Sequence, residues 1–159
     1  MKTAQLATLF LICLLGILPV AASAKPYTIS ADGNEVTDQK TGLIWRRCAE
    51  GMNWDGATCA GVASKFNHEA ALQRAAAQTK DTGIDWRLPN IKELSSIADK
   101  KSSTTRRAAF PATPAGWFWS TSPGTGNSVG TWRVAFYNGN VSSRYHRNNL
   151  YVRLVRASQ

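Results

Sequence analysis

Downstream of Asp99 the chain has no acidic residue, although it contains ten in all. Residues 100–159 therefore offer no carboxylate for acid–base chemistry. The same stretch holds nine lysines and arginines, whereas residues 25–99 hold nine basic and ten acidic ones. The basic excess thus belongs to the last part of the chain, where its field attracts polyanions such as nucleic acid, anionic polysaccharide or an anionic membrane face. Histidine is nearly absent as well. His68 and His146 are the only two, no motif joins them to each other or to a carboxylate or cysteine, and both read as surface residues. No catalytic residue, metal ligand or cofactor site is assigned on this basis.

Long apolar runs are confined to the N-terminus. Lys2 precedes the uncharged stretch Thr3 to Ala24, which has an apolar centre at Leu9–Leu15, a helix-breaking Pro19 and a small-residue end Ala22-Ser23-Ala24. This pattern predicts a signal peptide over residues 1–24, cut before Lys25. Pro19 and the small-residue end weigh against the alternative of an uncleaved anchor. Cys13 lies inside the apolar run, the wrong place for a lipid-acceptor cysteine. Residues 25–159 remain as a single domain, large enough for a real core. Export would place it in the periplasm, on the cell surface or outside the cell, where Cys48 and Cys59 form an even pair expected to be a disulfide. It also makes extracellular polyanions a better match than nucleic acid.

Ala31-Asp-Gly-Asn34 is a turn signal between short strand-like runs, and its Asp32, Asn34 and Asp38 lack the spacing and closing Glu of a calcium-binding loop. Glu35–Asp38 and Leu43–Arg46 read as two strands around a turn. Cys48–Gly61, with its three glycines, is expected to be an irregular loop held by the disulfide. A helix is predicted from Asn67 to Gly83, rich in alanine on a narrow face. Pro89 keeps Asp85–Asn90 extended, and Asn90 with Glu93 forms a capping-box pair that starts a second helix through Leu94 and Ile97. Lys100–Gly116, with basic doublets at Lys100-Lys101 and Arg106-Arg107, is expected to be a long surface loop. Trp117–Thr121 opens a strand, and Pro123–Gly130 is a Gly/Ser-rich loop. Of the six tryptophans, Trp45, Trp86 and Trp132 are assigned to the core, while Trp54 and Trp117 are left open.

The clearest patterning lies at the end. Trp132, Val134 and Phe136 alternate with Arg133, Ala135 and Tyr137, and Asn138-Gly139 follows as a hairpin signal accepting positive φ at both positions. The chain returns through Val141, Ser143 and Tyr145, crosses the polar run His146-Arg-Asn-Asn149, and ends in a last strand, Leu150–Arg156, with Val152 and Leu154 facing inward.

Five motifs carry a resemblance. Thr41-Gly-Leu-Ile-Trp45, Asp85-Trp-Arg-Leu-Pro-Asn-Ile-Lys-Glu-Leu94, Phe118-Trp-Ser-Thr-Ser122, Trp132-Arg-Val-Ala-Phe136 with Gly139 and Val141, and Tyr151-Val-Arg-Leu-Val-Arg156 together resemble, in order, the Lcl C-terminal domain family. The likeness runs from about Asp32 to Arg156. This bacterial group is named after the terminal domain of a collagen-like adhesin. It implies an α+β, C-type-lectin-like fold, with two short helices packed on small antiparallel sheets, paired N- and C-terminal strands and a loop-rich ligand lobe. The fold is related to that of the formylglycine-generating enzyme and of retroelement variable proteins. In the adhesin the domain is associated with binding sulfated glycosaminoglycans. In the variable proteins the ligand surface is the final segment, and Arg133, Tyr137, Asn138, Asn140, Ser142, Arg144, Tyr145, His146, Asn148 and Asn149 match it in position and type. With Arg147 added and Ser142 and Asn148 set aside, these form the candidate ligand-binding set.

Two departures restrict the inference. The calcium-lectin sugar tripeptide is absent, and the cysteine pair of the oxidase relative lies deep in its C-terminal part, whereas Cys48 and Cys59 lie near the N-terminus. Three classes remain: an anionic-glycan or polyanion binder, which is the leading expectation; a protein-binding cell-surface module; and a degenerate enzyme. The partner expected is an anionic polysaccharide or a protein, not nucleic acid.

Overall fold

A computed structural model describes residues 26–98, 103–124 and 130–158. The predicted signal peptide, Lys100-Lys101 and most of the Pro123–Gly130 loop lie outside them. The elements, in order, are β1 (Tyr27–Ile29), β2 (Glu35–Asp38), β3 (Ile44–Arg46), β4 (Met52–Trp54), β5 (Cys59–Gly61), β6 (Lys65–Phe66), α1 (His68–Thr82), α2 (Ile91–Ile97), α3 (Thr104–Ala109), β7 (Trp117–Pro123), β8 (Gly130–Ala135), β9 (Val141–Tyr145), β10 (Leu150–Tyr151) and β11 (Val155–Arg156). The class is α+β. Strands run β1-β2-β3-β11 in one sheet and β6-β10-β7-β8-β9 in the larger one, with β4-β5 as a separate hairpin. Only the β10–β7 pair is parallel among the described strands.

Both predicted helices stand where their caps place them. Asn67 accepts from the N–H of Ala70, and Gly83 closes α1 in the left-handed region at φ 69°. The capping box of Asn90 and Glu93 is complete. Glu93 is also held by two guanidinium nitrogens of Arg87, each at 2.8 Å, which with the box holds its carboxyl below the usual range. Ala71 and Ala75, one turn apart, share the buried face of α1 with His68 and let the helix approach the core closely.

Four expectations about secondary structure are corrected. Lys100–Gly116 is not all loop: Ser103 caps α3 by accepting from Arg106 N–H, and Ala109 and Phe110 bury its end. Cys48–Gly61 is not irregular but carries the β4–β5 hairpin, whose turn forms because Asp55 Oδ1 accepts from the N–H groups of Ala57 and Thr58. The hairpin after Ala135 turns through Phe136–Asn140 and not through a two-residue turn. Phe136 ends the alternation by packing on Phe118, ring centroids 4.1 Å apart, and among these turn residues only Gly139 has positive φ. The last strand is split into β10 and β11. Between them Val152 and Leu154 accept from the N–H groups of Glu50 and Arg46, so the segment passes from one sheet to the other with both sides covered.

The core has two parts. One gathers Val36, Trp45, Leu94, Ile97, Phe118 and Val134; the other gathers Ala71, Trp86, Leu88, Trp119, Val152 and Leu154. Trp45 and Trp86 are buried as expected, but Trp132 is only half-buried, because it lies opposite Ser143 on the strand next to the sheet edge. Trp54 packs under Arg47, 3.6 Å from its guanidinium, and against Gly33, where a Cβ would collide with the indole. Asp32 makes a plain Asx turn. Hydrogen bonds from Ser30 and Asn34 hold its carboxyl down to about 2.

Cys48 and Cys59 are bonded, with Cα atoms 5.5 Å apart. In the chain-entropy model a loop this short contributes about 3 kcal/mol. The oxidised protein is therefore expected to unfold at a clearly higher urea concentration than protein reduced under the same conditions. Coincident midpoints would show that the β4–β5 hairpin does not depend on the bridge.

Candidate functional site

Strand β9 pairs only with β8 among the described strands and forms an edge of the larger sheet. Register decides its faces. Arg133 lies opposite Ser142 and Thr131 opposite Arg144, so these four share one side, while Val134 and Val141 with Trp132 and Ser143 share the other. Val134 turns toward Phe118 and α2, and the other side is polar in composition but covered at Thr131, which is buried against His146, so that Arg144 is its exposed cation.

The predicted residues separate along this hairpin. Tyr137, Asn138 and Asn140 are exposed at its tip, and Asn138 Oδ1 accepts from Asn140 N–H, so Asn138 shapes the turn. Arg144 and Tyr145 are exposed at the other end, roughly 15 Å away at the usual rise along a five-residue strand. Arg147 lies 5.3 Å from the Tyr145 ring, and Asn149 is exposed in the same loop. Arg133 sits between the two ends, half-buried, its guanidinium 3.8 Å from the ring of Trp117, so that Trp117 serves as a platform for this arginine. Burial, and then the neighbouring Arg144, pulls the Arg133 guanidinium below its ordinary value.

The histidines are not independent surface residues. His68 is buried and its ring stacks on His146, centroids 4.8 Å apart and planes 22° from parallel. A carbonyl can only accept, so His68 Nε2 carries a proton and donates to Ser120 O at 3.1 Å. His146 Nε2 meets Thr131 Oγ1 at 2.7 Å, and its carbonyl accepts from His68 N–H. Burial lowers the His68 pKa and the facing His146 lowers it further, against the Ser120 carbonyl. The pair thus works as an anchor for the 145–149 loop. Among the described residues no three His, Cys, Asp or Glu are grouped to hold a metal ion.

A feature absent from the sequence reading lies beside the hairpin tip. A cleft of about 350 Å³ is walled by Arg106, Arg107, Pro114 and Tyr137 over the rings of Phe110 and Phe136. Its signals in the sequence are the Ser103 cap and the Arg106-Arg107 doublet, but its walls come from three separate segments. Behind Phe110 lies Arg153, fully buried, 4.9 Å from that ring. Arg153 donates to the carbonyls of Arg46 and Arg47 and to Thr113 Oγ1, and burial pulls its pKa down to about 9, so it is a cation at neutral pH.

The domain is thus α+β and carries a hairpin whose arginines lie against aromatic rings. The chain belongs to the Lcl C-terminal domain family, whose model matches residues 34–156. Comparison with curated proteins gives no match.

Proposed function

We propose that this domain is an exported bacterial binding module with a C-type-lectin-like fold, and that it recognises anionic glycans or related polyanions through the β8–β9 hairpin and the 145–149 loop. The observation that carries this reading is the set of Arg133, half-buried against Trp117, exposed Arg144, and Arg147 beside the Tyr145 ring, in a part of the chain without any acid. Arginine offers paired donors that match sulfate, carboxylate or phosphate, and an adjacent ring fixes the guanidinium plane. The addition of β11 to the sheet of the N-terminal strands supports the fold reading.

The Arg144→Ala/Arg147→Ala variant is expected to bind heparin more weakly and with a flatter salt dependence, because about two fewer counterions are released. Retention on immobilised heparin at a series of salt concentrations measures both. Unchanged affinity and slope, with the fold intact by circular dichroism, would remove the hairpin as the site. A protein ligand is the second reading, favoured by exposed Val141 and Tyr145 on an edge strand able to accept a further strand. Capture that ignores salt would select it.

A further inference from the structure

The cleft beside the hairpin tip differs in character from the open hairpin face. Its volume, about 350 Å³, falls at the low end of the roughly 300–1,000 Å³ that small-molecule sites occupy. Tyr137, exposed, and the buried Phe110 and Phe136 are among its lining residues. Every charged residue that lines it among the described residues is an arginine. A third cation lies behind the floor: Arg153 touches both Phe110 and Thr113, which face the cleft, and the acid whose charge acts on it is Glu50. A buried charge is screened less than an exposed one, so part of its field reaches the cleft. The wall at Ala112 is also strained. It is the one non-glycine among the described residues at positive φ, 50°, a conformation that persists only where surrounding structure holds it and that clusters at binding sites.

We infer that this cleft is a binding site for a single acidic sugar residue, whose apolar face lies on Tyr137 and whose carboxylate or sulfate is turned toward Arg106 and Arg107. The inference rests on the reading of the domain as an anionic-glycan binder and gives that reading a second contact point, one that selects a sugar by shape where the hairpin selects by charge. A guanidinium has five donors, so each arginine can serve an acid group of the ligand along with its contacts in the fold. The apolar floor demands a ligand with a face free of charge, which excludes inorganic sulfate or phosphate as the natural occupant.

The test is calorimetric titration of the purified protein with three probes: a sulfated, uronate-containing disaccharide, an uncharged disaccharide, and long-chain heparin. Ala115→Trp, at an exposed position on the cleft wall, fills the space without changing charge. Tyr137→Ala removes the exposed ring and leaves the buried core untouched, which protects the test should the tryptophan disturb folding. Both variants are expected to bind the sulfated disaccharide at least about tenfold more weakly, while the uncharged one binds none of the proteins. Equal disaccharide affinity in wild type and both variants overturns the inference, as does equal binding of the two disaccharides. Retention of long heparin with no binding of the sulfated disaccharide overturns the cleft and leaves the hairpin reading standing. Disaccharide binding that both variants lose, without salt-dependent retention of long heparin, supports the cleft and overturns the hairpin reading.

Discussion

Arg153→Ala is expected to lower the free energy of unfolding by about 3–5 kcal/mol, a large share of the roughly 5–15 kcal/mol available to a domain of this kind. Two effects add. Removing a fully buried side chain of this volume leaves a cavity between the two sheets, and the carbonyls of Arg46 and Arg47 with the Thr113 hydroxyl lose a charged donor. Opposing them is the cost of keeping a cation in the interior, which the wild type bears and the variant does not. The Met variant separates these contributions, because it keeps most of the volume and discards the charge. Urea unfolding followed by tryptophan fluorescence measures both. A midpoint for Arg153→Met at or above the wild-type value would mean that the guanidinium is tolerated and does not stabilise the fold, and would direct attention to its field at the cleft.

Trp86→Ala is expected to cost about 3–5 kcal/mol as well, by a different route. The indole fills the second core part beside Leu88 and Leu154, and the guanidiniums of Arg46 and Arg156 lie 4.8 and 5.5 Å from its ring. Its N–H has no partner among the described residues, so Trp86→Phe removes an unsatisfied donor together with some volume and should lose less than Ala. Heparin retention of the folded fraction should be unchanged. A Trp86→Ala protein as stable as wild type but unable to bind would move Asp85–Asn90 from scaffold to site.

What could be read from the residues was local. Asn67, Gly83 and the Asn90–Glu93 pair announce helix ends because a cap is satisfied within three or four residues of itself, and Glu35–Asp38 with Leu43–Arg46 announce a hairpin for the same reason. The split of Leu150–Arg156 was hidden. Alternation assigns Val152 and Leu154 inward and Arg153 outward, but no sequence period reveals that a segment is covered on both sides. The β4–β5 hairpin was hidden too, since three-residue strands are too short to alternate visibly. The hairpin residues of the candidate site were named from the sequence, yet the stacking of His146 on His68 and the cleft were not. Each depends on contacts between segments far apart in the chain, and composition is silent about those.

The split C-terminal segment also sets a timetable. Strand β10 lies between β6 and β7, while β11 completes the sheet begun by β1, so neither large sheet can close until residues 150–156 exist. At about 5–20 residues per second, Phe66 waits on the order of ten seconds for Leu150 to be synthesised. Until then Trp117 and Trp119 lie on a strand paired on one side only, with β8, while its other edge waits for β10. Closure of the two sheets is thereby coupled through one short segment, residues 150–156.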